Sequence, residues 1–177
     1  MKYQHLCVLG LSLLLTSGCS DATQDNGAAN KTEAIAPGTG TQYLTSSEPA
    51  TVMDVADARK SAKADEAVAI VGRIGGSGDP FVDGVAAFTV VDLKIAYCSA
   101  DEGCPTPWDY CCTQNQVKDN IATIKLVDAE GKPVTDDARK LLGVKELSVV
   151  VAEGTARRDE SGNLTVAATK IFVRPVK

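Results

Sequence analysis

Hydrophobic and polar side chains alternate along five segments of the chain, which is the pattern of β-strands that bury one face. The segments are also rich in β-branched residues, which are common in strands. They are Ala67–Gly75, Gly84–Ile95, Ile121–Asp128, Leu147–Thr155 and Asn163–Val173. The pattern therefore predicts a mainly β domain built on five strands.

Two other segments have helical spacing. Apolar residues recur every three or four positions over 51–64, and Thr51–Asp54 has the hydroxyl and carboxylate of a capping box, so we expect an N-terminal helix there. Residues 135–143 carry acidic residues at the start and a glycine at the end, which predicts a short helix between the third and fourth strands. The polar segment 157–162 predicts a hairpin turn between the last two strands.

The order of these elements indicates the fold. Three strands, a short helix and two further strands resemble an OB-fold, a five-stranded Greek-key barrel with a helix between strands 3 and 4. An immunoglobulin-like sandwich needs about seven strands, which is more than the sequence supplies. We therefore predict an OB-like barrel with a preceding helix over residues 51–177.

The N-terminus predicts export. Lys2 is followed by a mostly apolar stretch over residues 6–15, the size of a signal-peptide core and shorter than the roughly 20 residues of a membrane span. The small residues that precede Cys19 resemble a bacterial lipobox. This resemblance implies that residues 1–18 are a lipoprotein signal peptide and that Cys19 carries the lipid.

Residues 19–50 connect this anchor to the domain. They are rich in Gly, Ala, Asn, Thr and Ser, which predicts a disordered tether. Ser20 follows the cysteine, and by resemblance to enterobacterial sorting this implies the outer membrane. We therefore expect a lipid-anchored protein of the bacterial cell envelope that faces the periplasm and contacts the membrane through its N-terminal lipid.

The composition of the chain narrows the range of functions that the domain can have. The chain has 18 basic and 23 acidic residues, a net charge of −5, and 5% aromatic residues. An OB-fold that binds nucleic acid needs a positive groove and stacking aromatic rings, so this role is disfavoured. The single histidine, His5, lies in the leader, which argues against histidine-based catalysis in the domain. We expect a non-enzymatic module that binds another envelope protein or a small ligand.

Four of the six cysteines lie in one segment, residues 97–112, between the second and third predicted strands. They are spaced C-x5-C-x6-C-C, and an exported protein can keep disulfides. Adjacent residues of an extended chain point to opposite sides, so Cys111 and Cys112 are each expected to pair with a different partner, Cys98 or Cys104. The sequence leaves the pairing open and, on this interpretation, predicts no cofactor.

Two alternatives use the same thiols. Four thiolates could hold zinc or copper, although the usual C-x2-4-C spacing of zinc sites is absent. A dithiol redox protein is the second alternative, but the segment has no C-x-x-C motif and its nearby charges are acidic.

Further candidates for binding lie near this segment. Trp108 and Tyr110 sit on a stretch stiffened by two prolines and could offer an aromatic surface, although an anchoring role for Trp108 on the barrel is the favoured interpretation. Three charged residues follow or end the first strand and border the usual ligand face of an OB-fold. They are Arg73, Asp79 and Asp83.

Three strings of residues are similar to a known family. GRIGG at 72–76, DPFVDG at 79–84 and CPTPWDYCC at 104–112 resemble an uncharacterised family of predicted planctomycete lipoproteins. The resemblance implies an OB-like domain in the cell envelope. It implies no particular activity.

Overall fold

The computed structural model describes residues 40–99, 101 and 103–175. The predicted signal peptide, Cys19 and the tether up to residue 39 lie outside these described residues. Within the described ranges, no helix combines the length and apolar character needed to cross a membrane.

The described chain forms strands, short helices and two 3-10 turns, at Thr41–Tyr43 and Pro107–Asp109. The strands are β1 Met53–Asp54, β2 Ala67–Ile74, β3 Phe81–Val82, β4 Ala87–Val91, β5 Ile121–Leu126, β6 Val149–Arg158 and β7 Leu164–Val173. The helices are α1 Val55–Ser61, α2 Gln114–Val117 and α3 Ala138–Leu142.

Five of the strands close into a barrel. Strand β2 pairs antiparallel with both β4 and β6, β4 pairs antiparallel with β5, and β6 pairs antiparallel with β7. Strands β5 and β7 pair in parallel, which gives each of the five strands two neighbours. With α3 between β5 and β6, this is the connectivity of an OB-fold, so the predicted fold class is confirmed.

The barrel encloses the core because alternate residues of each strand face inward. In β5, Ala122, Ile124 and Leu126 are buried, whereas Thr123 and Lys125 are partly exposed. Burying a large apolar side chain of this kind stabilises a fold by about 1.5–3 kcal/mol. The other large buried side chains include Phe88, Ile70, Ile74, Leu164 and Ile171.

The second predicted strand is shorter in the structure. The expected strand 84–95 is reduced to β4, and the separate strand β3 precedes it, with Phe81 opposite Phe88. Strand β4 ends at Val91, and the next residue, Asp92, is buried. Its carboxylate accepts the N–H of Lys94 at 2.9 Å and the N–H of Ala56 at 2.8 Å.

The first helix also differs from the prediction. Met53–Asp54 forms a short strand parallel to β2, so α1 begins at Val55 and not at a Thr51 cap. Asp92 caps its N-terminus from a distant part of the chain. Arg158 binds the other end, donating to the carbonyl of Ala62 at 2.9 Å. A helix of seven residues is marginal alone, and these two distant contacts hold it in place.

The end of the predicted tether packs against the barrel. The Gly40 N–H donates to the Leu141 carbonyl at 2.7 Å, and the Tyr43 side chain is buried. Leu44 bridges to Ile171 of β7. Residues 40–44 therefore pack on the barrel, although they precede the predicted start of the domain at residue 51.

The short helix α3 lies where it was predicted but is shorter. Asp137 caps it by accepting the N–H groups of Arg139 and Lys140. Gly143 ends it with φ of +66°, the left-handed conformation that glycine adopts readily.

Candidate metal centre

The segment between β4 and β5 carries the four cysteines and docks on the glycine-rich segment after β2. The N–H of Gly76 donates to the Trp108 carbonyl at 2.8 Å, and the Trp108 indole donates to the Gly78 carbonyl at 3.0 Å. A Cβ on Gly75 would lie 2.6 Å from the Trp108 oxygen. Gly75 is therefore needed for the close approach of the cysteine segment.

The two candidate aromatic residues have different positions. Trp108 is half-buried and anchored to the glycine-rich segment by its indole. Tyr110 is completely buried among Val91, Ile95 and Val117, so it is not available as the partner surface that the sequence suggested. Burial raises the pKa of the Tyr110 hydroxyl, and the neighbouring Arg73 lowers it in part.

The four cysteine sulfurs form one cluster around Cys111. Cys111 Sγ lies 3.2 Å from Cys98 Sγ, 3.4 Å from Cys104 Sγ and 3.8 Å from Cys112 Sγ. Cys98 Sγ and Cys112 Sγ are also 3.8 Å apart. No disulfide joins these four cysteines.

This geometry differs from the predicted pair of disulfides, because one sulfur has three sulfur neighbours. The prediction assumed an extended chain at Cys111 and Cys112. In the structure Tyr110 has φ of +58° and residues 111–113 form a turn. The chain therefore bends back, and both adjacent sulfurs approach Cys98.

The thiols of this cluster differ in their pKa values. The pKa of the buried Cys98 thiol is lowered, chiefly by the N–H of Cys112 and then by the Cys111 thiol. The pKa of Cys111 is raised, chiefly by its hydrogen bond to Cys98 and then by Cys104 and Cys112. Cys98 therefore ionises more readily than Cys111, and negative charges on neighbouring sulfurs would repel one another. A cation among the sulfurs would relieve this repulsion.

One carboxylate belongs to the same cluster. The ligand atoms of Cys98, Cys104, Cys111 and Asp109 all lie within 4.8 Å of one another. Asp109 also accepts the Thr106 hydroxyl at 2.7 Å and the Cys111 N–H at 2.8 Å, and these bonds lower its pKa. The sequence marked Asp109 only as a nearby negative charge; its place two residues before Cys111 was the available signal.

The remaining candidates are not brought together with the sulfurs in one cluster. Asp79 forms an ion pair with Arg139 of α3 at 3.4 Å, and Asp83 is exposed beside β3. The Arg73 guanidinium lies 4.7 Å above the centre of the Tyr97 ring. Asp79 thus has a structural contact, whereas Arg73 belongs to a separate cavity described below.

Comparisons with known proteins add little to this geometry. No protein-family model matches the chain, and no curated protein is significantly similar in sequence. Among solved structures, a putative aspartyl-tRNA synthetase from Leishmania major Friedlin is 13% identical, with a TM-score of 0.38 over 73% of this chain and 22% of that one. The aspartyl-tRNA synthetase from Entamoeba histolytica is 11% identical, with a TM-score of 0.41 over 75% and 25%. The chain spans a quarter or less of either synthetase.

Proposed function

We propose that this protein is a metal-binding protein of the cell envelope, in which Cys98, Cys104, Cys111 and Cys112 hold one zinc ion on an OB-fold barrel. The convergence of four sulfurs carries the proposal. Zinc–sulfur bonds of about 2.3 Å in a tetrahedron place the sulfurs about 3.8 Å apart. Four of the six sulfur pairs lie 3.2–3.8 Å apart, so these pairs require only a slight outward movement to reach that geometry.

The ligands and their spacing favour zinc over an iron–sulfur cluster. Four thiolates form a closed tetrahedral site with no position left for water, which is typical of structural zinc. Thiolates also suit copper(I) and iron–sulfur clusters. A cluster needs room for its iron and sulfide between the cysteines, and sulfurs in mutual contact leave none.

Cys112 is proposed as the fourth ligand in preference to Asp109. The Asp109 carboxylate already accepts two hydrogen bonds, one from the backbone of Cys111. It therefore acts as a positioning residue that fixes the turn on which Cys111 lies. Partners of this kind orient the ligands of a metal and tune the site without contacting the ion.

Metal analysis of the leaderless chain, residues 20–177, tests the proposal. We expect one zinc per chain after purification without chelators, and four thiols that react with an alkylating reagent only after the zinc is removed. Mass spectrometry under native and denaturing conditions distinguishes the alternatives. A denatured chain lighter by four hydrogens, with no metal in the native spectrum, would show two disulfides and overturn the proposal.

Zinc affinity is expected to fall as the pH is lowered. Zinc displaces protons from the thiols, and the raised pKa of Cys111 makes its proton the last to leave. Lower pH restores these protons, so binding weakens in the acidic direction and strengthens in the alkaline direction. Titration calorimetry in buffers of different ionisation enthalpy measures the protons released. An affinity that is unchanged between about pH 6 and about pH 8 would contradict a thiolate site.

Anchoring through Cys19 is the second part of the proposal, and the lipobox-like leader supports it. In a bacterial host, the full-length chain is expected in the membrane fraction, because acyl chains on the N-terminal cysteine hold a protein on the bilayer. The Cys19→Ala variant should be released, whereas Cys7→Ala should stay bound. Tight membrane association of Cys19→Ala would exclude the lipid anchor.

A further inference from the structure

A cavity of about 410 Å³ opens at the point where β2 ends, β6 begins and β7 ends. Its volume is in the range of small-molecule sites. Three of the residues that line it are unusual: an arginine, an exposed tyrosine and a leucine with strained backbone. They are Arg73, Tyr97 and Leu147.

Arg73 has a charge that the described protein does not neutralise. The other five arginines each donate to a carboxylate or a backbone carbonyl. Within the described residues, Arg73 has no carboxylate or carbonyl acceptor, and its guanidinium rests 4.7 Å above the Tyr97 ring. The guanidinium also lies beside the Tyr110 hydroxyl, whose pKa it lowers. Stacking on an aromatic ring fixes the plane of a guanidinium, so its remaining N–H groups can bind an anion.

The walls of the cavity are apolar and in part strained. Tyr97 is 41% exposed, an unusual position for a large ring in the described part of the chain. Leu147 has φ of +64°, a conformation that costs a leucine free energy, and its N–H is held by the Ile74 carbonyl at 2.9 Å. Strain of this kind concentrates at functional sites. Leu93 and Val149 complete the apolar wall.

We propose that this cavity binds a small carboxylate with a flat, apolar body. The guanidinium of Arg73 presents a fork that matches the two oxygens of a carboxylate. A single negative charge fits, because the other arginine of the cavity, Arg174, is already paired with Glu48. The apolar body would lie against Leu93, Leu147 and Val149. The site uses no cysteine sulfur, although Tyr97 directly precedes the proposed ligand Cys98.

The probe that tests this proposal is 3-phenylpropionate, titrated into the leaderless chain and followed by backbone NMR. We expect saturable shifts at Leu93, Tyr97 and Leu147. The uncharged 3-phenylpropanamide has the same shape and should bind at least about tenfold more weakly, the effect of losing a charged hydrogen bond. The dipeptide Ala-Phe carries the carboxylate at a peptide end. Binding of Ala-Phe as tight as that of phenylpropionate would identify peptide ends as the source of the ligand, and weaker binding would identify a free acid.

Two variants and a control complete the test. Arg73→Met should weaken phenylpropionate binding at least about tenfold, whereas Arg157→Met, which removes an exposed arginine paired with Asp65, should leave it unchanged. If Arg73→Met does not fold, Val149→Phe fills the cavity from the neighbouring strand β6, where Val149 pairs with Arg73, and should abolish binding. Equal binding of the acid and the amide, shifts outside the cavity, or no binding by either would overturn the proposal whatever the zinc content.

Discussion

Replacing Cys111 with serine is expected to abolish zinc binding. Cys111 Sγ is the sulfur that contacts the other three, at 3.2, 3.4 and 3.8 Å. A serine hydroxyl does not ionise readily and is a poor ligand for zinc compared with a thiolate. Removing a hydrogen-bond partner of a metal ligand typically weakens metal binding 10- to 100-fold. Removing a ligand itself should have a larger effect, so we expect zinc binding to be more than about 100-fold weaker. Competition with a chromophoric chelator measures this affinity.

Two further variants identify the fourth ligand. If it is Cys112, the Cys112→Ser substitution weakens zinc binding about as much as Cys111→Ser does, and Asp109→Asn weakens it less than about tenfold. The opposite order would make Asp109 the ligand. Cobalt(II) gives an independent readout, because its charge-transfer absorption grows with the number of thiolates. Wild-type zinc affinity in Cys111→Ser would exclude the four-thiolate centre.

The barrel was predictable because its strands share a single core. Each strand has one inward face, as Ala122, Ile124 and Leu126 show, and this leaves a period of two in the sequence. The position of α3 followed from its acidic start and terminal glycine. Local patterns of this kind decide which elements form and in which order, and for an OB-fold that order is distinctive.

The ends of the elements depended on contacts between distant residues. The early end of β4 and the late start of α1 have one cause, the buried carboxylate of Asp92, which lies 36 positions from the N–H of Ala56 that it accepts. The packing of residues 40–44 likewise depends on Leu141 and Ile171. No local pattern in the sequence contains such information.

For the candidate site, the sequence predicted the residues but not their arrangement. The residues were found, because cysteines are few and four of them lie together. Their arrangement was not, because it depends on Tyr110 in the left-handed conformation that non-glycine residues rarely adopt. Complete burial of its ring against Val91, Ile95 and Val117 compensates for that conformation. An extended chain was therefore the expected geometry, and disulfides were the expected chemistry.

Substituting Gly154 with alanine should destabilise the barrel by about 3 kcal/mol or more. Gly154 lies in β6 at a shift of register, where Glu153 pairs with Lys170 and Gly154 pairs with Ala168. A Cβ at this position would lie 2.1 Å from the Ala167 oxygen and 2.7 Å from the Ala168 Cα. Both atoms belong to the backbone of β7 and cannot move aside as a side chain can. The substitution must therefore separate β6 from β7.

Chemical denaturation of the leaderless chain, with and without zinc, measures this loss as a lower unfolding midpoint at constant slope. Gly78→Ala is the matched control, because a Cβ at Gly78 has no atom within 4 Å. It should change the free energy of unfolding by less than about 0.5 kcal/mol. A loss below about 1 kcal/mol in Gly154→Ala would mean that β6 and β7 are not in this register. Strands β6 and β7 complete the closed barrel. If Gly154→Ala lowers the free energy of unfolding by the expected amount but leaves zinc affinity unchanged, the cysteine segment keeps its structure when the barrel is destabilised.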